Sequence, residues 1–273
     1  MLGTMLAELQ RTAPLVHCIT NYVTANDCAN VLLACGASPI MADDPAEAAE
    51  ITALARGLTL NLGTLSRQKV PALLASGQTA NRLGLPAVLD PVGAGASVFR
   101  TQTAQQLLQQ VQFAAVRGNA SEIRALCSGG GDSRGVDAAS SDAITDTTLA
   151  GRLALAKQFA LEHHTVTAMT GELDLVTDGE RAYVVRNGTP LLRKVTGAGC
   201  MLSVLTGAFL AANPDTPLEA AAAAVCMMGL CGQQAALRCG GQDGSGSFRV
   251  YLIDAISTLT PDELEQGARY EVY

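Results

Sequence analysis

Leu58-Thr59-Leu60-Asn61-Leu62, then a helical run over 66–83, then Pro86-Ala87-Val88-Leu89 stopping at Asp90-Pro91: this stretch decides the fold. Both short segments are nearly continuous apolar runs, the pattern of strands covered on two faces rather than one. The run between them has helical length and a serine, Ser66, where a cap is expected. Two strands joined through a helix make a right-handed crossover and lie parallel in one sheet.

The alternation continues in both directions. Upstream it predicts a strand over 15–19, a helix over 24–34, an extended piece over 38–41 and a helix over 45–56, with Asp44 as its cap. Downstream it predicts a helix over 101–110, a strand over 114–116 ending at Arg117-Gly118-Asn119, and a helix over 121–127. Residues 128–142 are rich in Gly, Ser and Asp and are expected to form a mobile loop. A helix over 148–163, a strand over 165–169 and a hairpin pairing 173–177 with 182–186 follow. Helices over 200–212, 218–238 and 248–259 close the chain. The expectation is an α/β protein: one domain over 1–273, with a central, mostly parallel sheet and helices on both faces. Ligands of such sheets sit beyond the carboxyl ends of the strands, which makes the strand ends the residues to read.

Composition narrows the classes. With 48% hydrophobic and 16% charged residues, 273 residues can bury a large core without disulfides. The net charge of −7 argues against nonspecific nucleic-acid binding, which needs clustered Lys and Arg. Eight cysteines include no C-x-x-C pair, and only three histidines are present, so a structural metal site is not expected. Isolated cysteines in apolar settings suit the reducing cytoplasm. No basic segment followed by an apolar run opens the chain. The longest apolar stretch, 220–231, is short for a bilayer span of roughly 20 residues, so no membrane partner is expected.

Val195-Thr196-Gly197-Ala198-Gly199-Cys200 runs straight into an apolar helix. The first N–H groups of a helix lack internal partners and form its positive end, and glycines let an anion approach the backbone. The segment reads as an anion cradle with one ionisable side chain, Cys200, aimed at the anion; a packing turn with a buried cysteine fits the same residues. Asp90 follows a strand and precedes a glycine turn, so it can bind magnesium or stabilise its own turn. Glu122, in the first turn of a helix, is a second hard ligand or a favourable charge at a helix start. Arg117 suits a phosphate or a surface ion pair. Thr170 offers a hydroxyl at another strand end, and Asn21, Tyr22 and Met41 can line an acceptor pocket. There is no G-x-x-x-x-G-K-[ST], H-E-x-x-H or G-x-S-x-G, and no G-x-G-x-x-G after the first strand.

Six segments together carry more than any one motif: Pro14-Leu15-Val16-His17-Cys18-Ile19-Thr20-Asn21, Gly36-Ala37-Ser38-Pro39-Ile40-Met41, Asn61-Leu62-Gly63-Thr64-Leu65, Leu89-Asp90-Pro91-Val92-Gly93-Ala94-Gly95, Arg117-Gly118-Asn119-Ala120-Ser121-Glu122-Ile123 and Lys194-Val195-Thr196-Gly197-Ala198-Gly199-Cys200. In order and spacing they resemble the hydroxyethylthiazole kinases of thiamine salvage, over essentially the whole chain. The resemblance implies a ribokinase-like fold and a homotrimer with active sites at subunit interfaces. It implies phosphorylation of the hydroxyethyl group of 4-methyl-5-(2-hydroxyethyl)thiazole by ATP with Mg2+. It assigns Asn21, Met41 and Gly197 to the thiazole side, Arg117, Thr170 and Gly199 to ATP, and Asp90 and Glu122 to magnesium. Cys200 stands where most ribokinase-like enzymes keep a catalytic Asp. Tyr22 departs from the smaller polar residue expected after Asn21.

Overall fold

The computed structural model describes residues 1–127 and 144–273; the loop expected over 128–142 lies outside the described residues. The strands are β1 (Leu15–Ile19), β2 (Ser38–Ile40), β3 (Gly57–Asn61), β4 (Ala87–Asp90), β5 (Ala115–Asn119), β6 (Val166–Thr170), β7 (Asp174–Thr177), β8 (Ala182–Val185) and β9 (Tyr270–Val272). They form one sheet in the order β2-β1-β3-β4-β5-β6-β7-β8-β9. The first six are parallel and the last three antiparallel. The helices are α1 (Leu2–Thr12), α2 (Ala25–Cys35), α3 (Ala48–Leu54), α4 (Val70–Arg82), α5 (Val98–Gln110), α6 (Ala120–Cys127), α7 (Leu149–His163), α8 (Ala198–Ala212), α9 (Pro217–Arg238), α10 (Ser245–Thr258) and α11 (Pro261–Gly267).

Period-two alternation along the strands feeds two cores. Val88 of β4 faces one core while Ala87 and Leu89 face the other, and Ala115 and Val116 of β5 divide likewise. The first core takes α1, α2 and α8–α11; the second takes α3–α7. The sheet is therefore covered on both faces, which is why its strands read as apolar runs.

The sequence reading misses α1, α11 and β9 and displaces several ends. Helix α4 starts at Val70, not at Ser66, whose side chain caps nothing; the intervening residues are a turn. Asp44 caps that first turn before α3 rather than the helix itself, accepting from the Ala46 N–H at 2.8 Å. Strand β5 continues through Arg117 to Asn119, so Arg117 is a strand residue. Helix α8 starts two residues early, at Ala198, which puts Gly199 and Cys200 in its first turn. Helix α9 spans 22 residues and is long and apolar enough to cross a bilayer, beyond what the 220–231 stretch suggested. In the fold it is a core helix, packed on α8 and α10 and buried along most of its length.

Two glycines bring α8 down onto the sheet. A Cβ on Gly57 of β3 would lie 2.9 Å from Ala211 Cβ, and one on Gly207 of α8 would overlap the Thr59 hydroxyl. This close approach carries the α8 N-terminus to the carboxyl ends of β3, β4 and β5. Gly207→Val is expected to overpack the interface and destabilise the protein by about 1–3 kcal/mol in urea denaturation. Gly151→Ala, on an open face of α7, should instead add up to about 1 kcal/mol.

Candidate active site

Asn61, the last residue of β3, is the centre of the site. Its Nδ2 donates to Asp90 Oδ2 at 2.7 Å and to Cys200 Sγ at 3.3 Å. Its Oδ1 accepts from Asn21 Nδ2 at 3.0 Å and from the Gly63 N–H at 2.8 Å. Two donors and two lone pairs are all an amide has, so this amide is saturated and held in one orientation. Asn21 also donates to Cys200 Sγ at 3.3 Å, and its Oδ1 accepts from the Thr24 N–H at 3.1 Å. Asn61 thus joins Asn21, Asp90 and Cys200, three residues that lie far apart in sequence. Sequence reasoning treated it as part of a strand; the available signal was an amide at the carboxyl end of an apolar run.

Asp90 has no solvent exposure. Its Oδ2 also accepts from Ser203 Oγ at 2.7 Å, and Arg117 Nη1 lies 3.9 Å away. Ser203, likewise missed in the sequence, sits three residues after Cys200 and so on the same face of α8. Oδ1 is buried without a hydrogen-bond partner. Burial pushes the Asp90 carboxyl up to about 6; Arg117 opposes the shift and the Glu122 charge adds to it.

Glu122 is tied at both oxygens. Oε2 accepts from the Asn119 N–H at 2.9 Å while Asn119 Oδ1 accepts from the Glu122 N–H at 2.9 Å, a reciprocal cap at the start of α6. Oε1 accepts from the Gly93 N–H at 2.9 Å, binding the turn after Asp90 to the end of β5. The stabilising helix-start reading of this residue is therefore realised in the geometry, and each oxygen keeps one free lone pair.

Arg117 donates from Nη2 to Thr170 Oγ1 at 2.6 Å. Its guanidinium lies on the backbone of Gly199, where a Cβ would overlap it. Gly197 is the cap of α8 with φ +87°, and a Cβ there would overlap the Thr24 side chain. Met201 is the residue whose N–H closes the first turn of α8, onto Gly197 O at 2.8 Å. Arg117, Thr170, Gly197 and Gly199 line one cleft of about 950 Å³ with Asp174 and the 187–190 segment. Met41 is not part of the hydrogen-bonded cluster; it follows the edge strand β2 and is 38% exposed.

The thiol behaves differently from the bare expectation for a helix start. Burial raises the Cys200 pKa and the Asp90 charge adds to it, while hydrogen bonds from Thr24, Asn61 and Asn21 pull it back. Desolvation is the largest of these effects.

The raised Asp90 pKa fixes a sign for stability. Between the ordinary aspartate value of 3.8 and about 6, the folded protein holds a proton that the unfolded chain releases. This contribution is complete below the lower value and is lost as pH rises through the upper one. Removing it with Asp90→Asn should shift stability relative to wild type in favour of the variant as pH rises from 4 to 6. Urea denaturation across that range checks it; a pH-independent difference would contradict it.

Comparison with known proteins shows the family. Residues 6–262 match the model of the hydroxyethylthiazole kinase family. Over all 273 residues the chain is 50% identical to the hydroxyethylthiazole kinase of Clostridium acetobutylicum, covering 100% of both proteins. It is 45% identical to that of Methanosphaerula palustris, covering 99% of this chain and 98% of the relative. The structure of the hydroxyethylthiazole kinase from Pyrococcus horikoshii OT3 superposes with a TM-score of 0.88 at 35% identity, over 100% of this chain and 98% of that one. A ribokinase-like superfamily protein from Enterococcus faecalis shares the fold at a TM-score of 0.63 and 13% identity, over 95% of each chain. The α/β fold is ribokinase-like, and the chain belongs to the hydroxyethylthiazole kinase family.

Proposed function

We propose that this chain, acting as one kinase domain over 1–273, transfers the γ-phosphoryl group of ATP to the hydroxyethyl group of 4-methyl-5-(2-hydroxyethyl)thiazole in thiamine salvage. The observation that carries the reading is the meeting of the α8 N-terminus, Arg117 and Asp90 at the carboxyl ends of adjacent strands. Phosphoryl transfer needs positioning and charge stabilisation more than covalent chemistry, and this crevice supplies both.

Arg117, braced by Thr170 and seated on Gly199, holds an ATP phosphate in the cleft. The Ala198 N–H is engaged by Val195 O at 3.3 Å, so the N–H groups of Gly197, Gly199 and Cys200 are the ones left to stabilise the charge of the transferring group. Asn21, Met41 and Gly197 form the thiazole side, which brings the acceptor hydroxyl next to Cys200. Only the thiolate fraction of Cys200 can accept the hydroxyl proton, and its raised pKa keeps that fraction small. Phosphate oxygens are the other destination.

The residues present fit magnesium. Asp90 Oδ1 is buried and unpartnered, and Glu122 retains lone pairs across the same turn. Among the described residues no group of three or more His, Cys, Asp or Glu forms a metal cage. That suits an ion held through water by one or two carboxylates and the substrate phosphates. Asp90 and Glu122 would hold it, and bound magnesium supplies neutralisation of phosphate charge. Tyr22 and Val23, exposed directly after Asn21, offer apolar surface for a neighbouring subunit of a homotrimer. The eight free cysteines support a reducing, cytoplasmic setting.

The deciding assay is ATP consumption with and without the thiazole alcohol in magnesium; turnover independent of the alcohol would reject the reading. Arg117→Gln should weaken ATP roughly ten- to a hundredfold in calorimetry, the worth of a charged hydrogen bond, and leave thiazole binding near wild type. Cys200→Ala should lower kcat by up to roughly 10²–10⁴-fold, less if phosphate takes the proton, whereas Cys200→Asp should keep or raise it. Wild-type kcat in Cys200→Ala would reduce the thiol to packing.

A further inference from the structure

Lys69 occupies an unfavourable position for its own helix. It is the cap residue of α4, where a cation opposes the helix dipole, yet its side chain is only 11% exposed. What it gains there is two partners on different loops. Nζ donates to Thr20 O at 3.0 Å and lies 3.0 Å from Asp43 Oδ2. Thr20 O belongs to the peptide leading into Asn21, whose side chain donates to Cys200. Asp43 lies two residues after Met41. One ammonium group therefore connects the β1–α2 loop and the β2–α3 loop, the two that supply Asn21 and Met41.

The second of these loops needs such a tie. Strand β2 is three residues long, at the sheet edge, and pairs only through Ser38, Pro39 and Ile40. Proline has no N–H to donate to the ladder. Beyond Ile40, the chain is held by side chains. The fully buried His17 ring has Nε2 2.8 Å from Ala42 O and Nδ1 2.9 Å from Thr52 Oγ1. Lys69 holds Asp43. His17 ties the segment to β1 and α3; Lys69 ties it to the loop that carries Asn21.

We propose that Lys69 is a positioning residue for the acceptor: it sets the separation of the Asn21 and Met41 loops and so determines how tightly the thiazole alcohol is bound. The inference rests on Asn21 and Met41 forming the acceptor side. Stability is a poor alternative account. Asp43 is 58% exposed, and a half-exposed ion pair contributes little to folding.

The test compares Lys69→Met, which keeps length and removes charge, with Lys69→Arg, Asp43→Asn and Met41→Ala. For each, KM for both substrates, kcat, Tm and calorimetric binding of the thiazole alcohol without nucleotide are measured. The expected result for Lys69→Met is a thiazole Kd and KM raised roughly two- to tenfold, the worth of one hydrogen bond. ATP KM and Tm should stay near wild type. Asp43→Asn should move in the same direction by less, and Lys69→Arg should recover part of the loss. Unchanged thiazole affinity in Lys69→Met, or equal losses for both substrates with a lowered Tm, would overturn the proposal. Met41→Ala then tells the two failures apart: if it weakens thiazole binding, only the Lys69 role falls; if it does not, the acceptor-side reading falls as well. Should Lys69→Met fail to fold, Asp43→Asn carries the same comparison.

Discussion

Burying an ionisable carboxylate costs several kcal/mol unless hydrogen bonds and an opposite charge offset it, and the arrangement of this crevice follows from that constraint at Asp90. Asn61 and Ser203 both donate to Oδ2, and Arg117 stands 3.9 Å off. Because the Asn61 amide is then saturated by Cys200, Asn21 and Gly63, fixing the carboxylate also fixes the thiol and the Asn21 amide. Ser203 extends the same dependence to α8, since its hydroxyl can reach Asp90 only if the helix lies close on the sheet.

That closeness is a packing condition. Gly57 and Gly207 remove the side chains that would hold α8 away from β3, and Gly199 leaves room for the Arg117 guanidinium. A fold-level requirement, close helix–sheet contact, and a chemical one, a positive helix end beside Arg117, are met by the same residues.

The compensation around Asp90 is incomplete. One oxygen has no partner, and burial leaves the carboxyl shifted up to about 6. Cys200 is shifted in the same direction by burial and by Asp90. Glu122, by contrast, has both oxygens bonded to backbone N–H groups and serves the geometry of the turn whether or not an ion is present.

Much of this was legible in the sequence. Apolar runs alternating with helical ones specify a parallel sheet, and the carboxyl-end rule pointed to Asp90, Arg117, Thr170 and the Gly197–Cys200 turn; Arg117, Thr170, Gly197 and Gly199 line one cleft, and Asp90 is buried beside Arg117. The motifs also fixed the family. Periodicity did not reveal α1, α11 or β9, whose places depend on packing against α8, α9 and β8. Nor did it reveal Asn61, Ser203 or Lys69. Each is unremarkable in its own stretch of chain, and its importance comes from partners 29, 113 and 49 residues away. The sequence by itself determined which residue types stand at the strand ends, because strand and helix periodicity are local properties. Only the tertiary structure decided how those residues are oriented and charged, because hydrogen-bond saturation and desolvation depend on what the rest of the chain places around them.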